Sequence, residues 1–300
     1  MASDISVVIP YHNREQYIDE AIFSVLAQTL APLEIIIVND CSTETSRKYL
    51  DRYADLCRII DLASQAGAAS ARNQGILCAR GKFIAFLDDD DVWLPQKLEI
   101  QRQYMDQHPE CAVVHSAAEM FRTGNQVSLY PCNWSPPLTL PQALTHNYWV
   151  ILPSMLVRTS VLRALSGFDP RFKGSEDHDF TIRCCAAGYR IHGIPQPLIR
   201  IRREGHRSLT RRQWIMFATH LRLCYKHRDL YRAAYGIRGL ASFLLSSLQI
   251  ASSKTRYVDG ALRRLMRVLK VKWQVRADYI DPLVEVAKLE TPAVSPEVLK

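Results

Sequence analysis

Apolar and amphipathic segments alternate along the first 115 residues. Short apolar runs, rich in β-branched residues and typical of buried strands, occur at 5–9, 33–38, 57–62, 83–87 and 111–116. Between them, apolar residues recur at helical spacing after the first run, and residues 66–79 and 94–105 are predicted as two further helices. This alternation predicts an α/β fold whose sheet is mostly parallel and flanked by helices.

Polar sequences follow three of the predicted strands. PYHNRE (10–15) follows the first, NDCST (39–43) the second and DDDD (88–91) the fourth. The carboxyl ends of parallel strands meet at one edge of a sheet, where ligands bind near the topological switch point. We therefore expect these three segments to converge on one crevice.

The pattern changes in the second half of the chain. Residues 149–158 are predicted to return as a strand. The segment 174–189 begins with acids and is predicted to continue as a helix over 177–187. Residues 213–275 are predicted to be helical. The apolar run at 239–251 is about 13 residues long, too short to span a bilayer.

The net charge of +8 is unevenly distributed along the chain. Residues 1–100 hold 9 Lys and Arg against 15 Asp and Glu, whereas residues 200–280 hold 19 against 4. The two parts are expected to meet different partners. The eight cysteines are scattered, and the N-terminus lacks a basic segment followed by a long apolar one, so a cytoplasmic location is expected.

Four adjacent carboxylates, Asp88 to Asp91, end the strand at 83–87. They repel one another unless a cation or a hydrogen-bond network compensates them. An acidic start to the following helix would account for one or two of them. A site made only of oxygen atoms suits Mg²⁺ or Mn²⁺, so a metal site is the favoured interpretation.

Four separated motifs together resemble one family. SVVIPYHNREQYIDEAIFSVLAQTL, EIIIVNDCSTETS, GAASARNQGILCARGKFIAFLDDDDVWLPQKLE and GSEDHDFTIR occur in the order and spacing of a family-2 glycosyltransferase of the GT-A fold. The resemblance covers residues 4–205 and implies a catalytic domain over 1–205, followed by a basic helical extension over 206–300. It implies an inverting, metal-dependent transfer of a hexosyl-like sugar from a nucleotide diphosphate, with UDP as a family-level expectation.

The resemblance assigns roles to residues around the donor. Asp40 would read the base, or it could simply close an Asx turn. Asp90 would be the direct metal ligand, with Asp88 or Asp89 holding the ribose or the water shell of Mn²⁺ or Mg²⁺, and Asp91 only capping the next helix. The residues expected to line the nucleotide are Pro10, Tyr11, His12, Arg72 and Asn73.

SEDHDF (175–180) resembles the family's ED motif, whose carboxylate deprotonates the acceptor hydroxyl. Asp177 is the expected base, Glu176 the second candidate and Asp179 a weaker rival; all three could instead serve the start of the helix. His206 is a candidate phosphate or metal neighbour, although its spacing departs from the family pattern. Arg202, Arg203 and Arg207 could neutralise a diphosphate or begin the basic surface.

Other functions remain as alternatives. A nucleotidyltransferase would show a Gly-rich basic loop where PYHNRE stands, and a non-catalytic member of the same fold would bind glycan or nucleotide sugar without turnover. No nucleic-acid motif accompanies the basic segment. That segment could pack on the catalytic domain, or it could sit on anionic lipid at the cytoplasmic face, which would suit a glycan or lipid-linked acceptor of surface polysaccharide or glycolipid synthesis.

Overall fold

The computed structural model describes most of the chain up to residue 236. The described residues are 3–122, 126–130, 137–145, 150–172, 174–203, 213–236 and Leu244. His206, Arg207, the apolar run at 239–251 apart from Leu244, and the predicted helical residues beyond 244 lie outside them.

The described residues form a nine-stranded sheet with helices along the chain between the strands. The sheet order is β3-β2-β1-β4-β8-β6-β9-β5, with β7 paired to β6. The strands are β1 (Ile5–Tyr11), β2 (Glu34–Asn39), β3 (Arg58–Asp61), β4 (Phe83–Phe86), β5 (Val92–Trp93), β6 (Cys111–Arg122), β7 (Gln126–Tyr130), β8 (Leu156–Arg158) and β9 (Arg190–Arg202). The α-helices are α1 (Glu15–Leu26), α2 (Glu44–Tyr49), α3 (Ala68–Cys78), α4 (Lys97–Gln107), α5 (Leu140–Thr145), α6 (Thr159–Ala164), α7 (Glu176–Ala186) and α8 (Gln213–Lys226).

The first four strands are parallel, as the alternation predicts. β1 lies between β2 and β4, and β3 flanks β2. Beyond β4 the sheet is mixed, because β8 is antiparallel to both β4 and β6, whereas β6 and β9 are parallel. The predicted α/β fold class is therefore confirmed.

Two predicted elements have different bounds in the structure. The strand predicted at 149–158 is confined to β8 and follows a 3₁₀ helix at Leu152–Ser154, where Pro153 lacks the amide proton that a ladder needs. The helix predicted to start at 94 begins at Lys97 instead. The backbone of Leu94 is still donating to Leu198 of β9, so this stretch continues the β5–β9 pairing.

Apolar residues pack on both faces of the sheet. Along β1, Val8 faces one core and Val7 and Ile9 face the other, as the two-residue repeat of a strand requires. This burial on both sides explains why the first strands read as continuous apolar runs.

The described residues after 213 pack on the sheet and its helices. Leu223, Cys224 and Tyr231 belong to the same core as β1 and α7. The Tyr231 hydroxyl donates to the carbonyl of Leu144 (2.6 Å), which ties residues 228–236 to α5. Within the described residues, no helix is long and apolar enough to cross a membrane.

Helix α3 lies against β1 with no space for a side chain at the contact. It begins after Gly67, whose φ of 88° lies in the left-handed region that glycine adopts most easily. Further along, a Cβ added at Gly75 would overlap both methyl groups of Val8. The glycine therefore sets how closely α3, which carries Arg72, approaches the sheet.

We expect Gly75→Ala to lower stability by about 1–3 kcal/mol through overpacking against Val8, although alanine is the better helix former. Urea unfolding measures the change. Leu77→Ala on the same helix, at a side chain that is 71% exposed, is the control and should shift stability by less than about 0.5 kcal/mol. Adding Val8→Ala should recover part of the Gly75→Ala loss; strictly additive losses would contradict the contact.

Candidate active site

The three polar segments predicted to converge do meet at the carboxyl edge of the sheet. The backbone N–H of His12, after β1, donates to Oδ2 of Asp89, after β4 (3.2 Å). Nδ1 of His12 lies 2.8 Å from the carbonyl oxygen of Asp40, after β2. His12 therefore joins the ends of three parallel strands.

Asp89 and Asp90 share one cation, Arg14. Its Nη1 lies 2.9 Å from Oδ1 of Asp89 and 2.8 Å from Oδ2 of Asp90. Burial and the neighbouring charges of Asp90 and Asp88 raise the pKa of Asp89 to about 7, against the opposing effect of Arg14. The carboxyl group of Asp89 therefore loses its proton less readily than that of an exposed aspartate.

Asp88 faces a different cation, Arg72 of α3. Nη2 of Arg72 lies 2.5 Å from Oδ1 of Asp88, and Nη1 lies 2.7 Å from Oε1 of Glu176 at the start of α7. Burial opposes the charge of this guanidinium, which is only 4% exposed, but the two carboxylates outweigh that effect and raise its pKa. One buried cation thus joins the DDDD segment to the SEDHD segment.

Asp91 has a structural partner instead of a helix to cap. Its Oδ1 accepts from the backbone N–H of Arg202 (2.9 Å), and its pKa is raised by burial and by Asp90 and Asp88. The expectation that Asp91 caps the next helix is wrong, because α4 begins six residues later and has Gln96 at its N-cap.

Arg202 binds the segment of four aspartates through both its backbone and its side chain. Its Nε donates to the carbonyl oxygen of Asp90 (3.1 Å) and its Nη2 contacts Glu20 (2.6 Å). Arg203 points elsewhere, with its Nε 3.3 Å from Sδ of Met120. Of the arginines considered for a diphosphate, Arg202 is thus bound to the turn formed by Asp88 to Asp91, which we call the acid turn.

Asp40 holds the loop that precedes α3. Its two carboxylate oxygens accept the N–H groups of Ala66 (2.7 Å) and Gly67 (2.8 Å). Each oxygen keeps a second lone pair, so these bonds are compatible with the base contact predicted for Asp40.

Pro10 and Tyr11, predicted to line the nucleoside, are buried within β1. Pro10 pairs with Val38 of β2, and the Tyr11 hydroxyl lies 2.6 Å from the hydroxyl of Ser46. Burial raises the pKa of Tyr11. His12 and Asn13, the next two residues, are the ones that leave the strand at the crevice.

Asn73 is engaged by the backbone after α6. Its amide nitrogen donates to the carbonyl oxygen of Phe168 (2.7 Å), and its Oδ1 accepts the N–H of the same residue (2.8 Å). Gly167 makes this approach possible, since a Cβ there would overlap Oδ1 of Asn73. Asn73 therefore fixes the backbone of this turn through two hydrogen bonds.

The acids of α7 fall into two groups. Glu176 binds Arg72 and also accepts the N–H of Gly174 (2.9 Å). Asp177 is half-buried on the first turn, where its Oδ1 accepts the N–H of His178 (2.7 Å). Both acids belong to the first turn of α7, and Arg72 joins Glu176 to Asp88.

Asp179, the weaker rival as base, is fully buried among cations. Arg183 and Lys226 lie 2.7 Å from its oxygens, and Nε2 of His227 lies at 2.9 Å. Burial alone would raise the pKa of Asp179, but the bonds from His227 and Lys226 and the charge of Arg183 lower it to about 2. A carboxylate with a lowered pKa and three such partners is a poor proton acceptor, which argues against Asp179 as the base.

The acid turn offers ligands of the kind that Mg²⁺ and Mn²⁺ prefer. Within the described part of the chain, the four acids do not bring three carboxylate oxygens within 4.8 Å of one another. They therefore do not form an all-protein cage. Mg²⁺ is commonly held in proteins by one or two carboxylates together with phosphate oxygens of a ligand, so the number of acids here is sufficient for such a cation.

Arg14 is the site residue that the sequence analysis missed. A single arginine in a six-residue loop carries no signal of its own. Its place in PYHNRE, directly after a strand that ends at the same edge as the acids, is the feature that could have identified it.

We expect Arg72→Lys to cost about 3 kcal/mol of stability, because one ammonium cannot reach both carboxylates as the guanidinium fork does. Arg47→Lys is the matched control: Arg47 also contacts two acids, Asp51 (2.7 Å) and Asp61 (2.5 Å), but it is only half-buried and both acids are exposed. That change should cost less than about 1 kcal/mol in the same urea titration. Equal losses in the two variants would contradict the bridging role.

Residues 6–158, just over half of the chain, match the family described as "Glycosyl transferase family 2". A likeness to a solved structure extends further. The S. aureus TarS 1–349 fragment in complex with UDP superposes with a TM-score of 0.57 at 20% identity, covering 95% of this chain and 91% of that one. At this identity the likeness supports the fold alone.

Among similar proteins, the putative teichuronic acid biosynthesis glycosyltransferase TuaG of Bacillus subtilis is 40% identical over 104 residues, 34% of this chain and 41% of that protein. The UDP-Glc:alpha-D-GlcNAc-diphosphoundecaprenol beta-1,3-glucosyltransferase WfgD of Escherichia coli is 39% identical over 102 residues, 34% of this chain and 40% of that protein. Both matches span less than half of the relative.

The uncharacterized glycosyltransferase MJ1057 of Methanocaldococcus jannaschii is 29% identical over 221 residues, 70% of this chain and 75% of that protein. The family match, the sheet and the clustered acids agree with one another. This chain belongs to glycosyl transferase family 2.

Proposed function

We propose that this protein is an inverting glycosyltransferase that uses Mn²⁺ or Mg²⁺ and moves a sugar from a UDP-sugar to a hydroxyl acceptor. The observation that carries the proposal is the buried bridge from Asp88 through Arg72 to Glu176. This bridge holds the aspartates that would bind the cation of the donor diphosphate next to the acids of α7, one of which would take the proton of the acceptor hydroxyl. An inverting transfer needs these two functions together in one crevice.

The donor half of the site would be the acid turn. Asp90 and Asp88 are the proposed metal ligands, with Asp89 in support and His206 as a further candidate. When bound, the cation would neutralise the diphosphate as it leaves. Arg14 already contacts Asp89 and Asp90, so it holds both side chains in place and could turn toward a phosphate oxygen.

The nucleoside would lie between the ends of β1 and β2. The carboxylate of Asp40 has lone pairs left to accept an N–H of the base. The His12 ring lies beside it, because Nδ1 of His12 contacts the backbone carbonyl oxygen of Asp40. Support for a uridine donor comes from the UDP named in the TarS structure and the UDP-Glc named for WfgD.

The acceptor half would be the first turn of α7. Asp177 is the proposed base, and it would take the proton of the attacking hydroxyl. Two neighbours fix its position: Glu176, held by Arg72, and Asp179, held by Arg183 and α8. The proton acceptor is thereby kept on a rigid helix terminus.

We further propose that the acceptor is a glycan or a lipid-linked glycan of surface polysaccharide or glycolipid synthesis, at the cytoplasmic face of a membrane. The teichuronic acid pathway named for TuaG and the diphosphoundecaprenol acceptor named for WfgD support this class. The 19 Lys and Arg against 4 acids in residues 200–280 would favour an anionic lipid surface.

Asp90→Asn tests the donor half of the site. In the wild type, Mn²⁺ should strengthen UDP binding measured by calorimetry; in the variant, the affinities with and without Mn²⁺ should become equal. Asp177→Asn is the matched control and should keep the Mn²⁺ effect. An undiminished Mn²⁺ effect in Asp90→Asn would remove this residue from the metal site.

Asp177→Asn tests the acceptor half. We expect turnover, measured as UDP release from a panel of UDP-sugars with Mn²⁺ present, to fall by about 10²–10⁴-fold while UDP affinity is kept. Lost affinity would reassign the residue to donor binding. Donor binding by the wild type with no turnover on any donor and acceptor pair would favour a non-catalytic binding protein.

A further inference from the structure

A second cluster of potential metal ligands lies at the opposite edge of the sheet from the acid turn. His108 and Glu110 flank the turn between α4 and β6, and His192 is the third residue of β9. Each side chain offers one ligand atom, and these atoms all lie within 4.8 Å of one another. Nδ1 of His108 and Oε1 of Glu110 are 3.5 Å apart.

The two edges are well separated, because β6 and β9 run parallel to each other and in the direction of β4. Their first residues therefore lie where β4 begins, not where Asp88 follows it. Along β9, ten residues separate His192 from Arg202 under the acid turn, roughly 30 Å of extended strand. The cluster is thus distinct from the proposed sugar-transfer site.

His192 is the unusual member of the cluster. Its side chain is only 7% exposed, and its Nδ1 lies 3.0 Å from the hydroxyl of Tyr104. Its Nε2 is buried and has no hydrogen-bond partner among the residues that the structure describes. Leaving such an atom unpaired costs about 1–3 kcal/mol, so an unseen partner is expected there.

The contact with Tyr104 favours the histidine tautomer in which Nε2 of His192 can bind a metal ion. When Nδ1–H donates to the tyrosine oxygen, the neutral ring carries its lone pair on Nε2. Metal-binding histidines typically have their other nitrogen engaged in this way. Tyr104 also lies against the His108 ring, with the ring centroids 4.3 Å apart, so one side chain orients both histidines.

The backbone that presents His108 and Glu110 is held firmly. Arg158 donates to the carbonyl oxygens of Pro109 (3.1 Å) and Cys111 (2.7 Å), and the N–H of Cys111 donates to the carbonyl of His108 (2.9 Å). These bonds fix the turn between the two ligands. A preorganised turn lowers the entropic cost of closing a chelate.

We propose that His108, Glu110 and His192 bind a divalent transition-metal ion, with Zn²⁺ as the preferred ion, and that this ion ties the α4–β6 turn to β9. Two imidazoles and one carboxylate suit Zn²⁺ and its neighbours in the transition series, whereas Mg²⁺ prefers oxygen alone. Ligands of a tetrahedral Zn²⁺ with bonds of about 2.0–2.1 Å lie about 3.3 Å apart, close to the His108–Glu110 spacing. Water would complete the coordination.

A simple surface ion pair explains the cluster less well. His108 and Glu110 are each 38% exposed at the side chain, where a pair at 3.5 Å contributes little. It would also leave Nε2 of His192 unpaired. A shared metal ion satisfies all three side chains together.

The test uses the full-length protein, freed of metal and titrated with Zn²⁺ against a chromogenic chelator. We expect tight binding of one Zn²⁺ that His108→Gln weakens by more than about 100-fold, since even an outer-sphere partner contributes about 10–100-fold. Tyr104→Phe should weaken it by about tenfold, while Asp90→Asn should leave it unchanged. His108 is partly exposed, so its replacement should not prevent folding, which circular dichroism checks.

Two outcomes would overturn the proposal. One is Zn²⁺ affinity that is the same in the wild type and in His108→Gln, or absent from both. The other is a Co²⁺ complex whose absorption contains a strong thiolate charge-transfer band, which would assign the ion to cysteines. The measurement needs no sugar donor, so its result is independent of the proposed glycosyl transfer.

Discussion

The guanidinium of Arg72 lies between a carboxylate that follows β4 and a carboxylate that begins α7. A buried cation is tolerated only with negative partners, and Glu176, which is itself largely buried, in turn needs a positive one. The three groups therefore stabilise one another and fix α3, β4 and α7 relative to each other. Gly75 also helps to fix the position of α3, because the lack of a side chain there lets the helix lie directly on β1.

The same principle explains how four adjacent aspartates coexist. Asp88 turns to Arg72, Asp89 and Asp90 to Arg14, and Asp91 to the backbone N–H of Arg202. The compensating groups come from α3, the loop after β1 and the end of β9. The repulsion between the four neighbouring carboxylates is thus offset by hydrogen-bond donors from three different elements of the fold.

The parallel strands and the crevice at their ends could be predicted from the sequence, because both depend on residues that are close together in the chain. The apolar runs predicted the first strands, and the polar ends predicted the crevice. The burial of Tyr11 also follows from the two-residue repeat, since Tyr11 shares a face with Ile9. The partners of Asp91 and Asn73 could not be read, because Arg202 and Phe168 are distant in the chain and meet them only through the fold.

The side chains that hold Asp179 have a mechanical consequence. This carboxylate lies two residues after Asp177 on the same helix, and Lys226 and His227, at the end of α8, both hold it. A displacement of α8 must break these bonds or pull the first turn of α7 with it. The end of α8 is therefore coupled through Asp179 to the first turn of α7, which also carries Asp177.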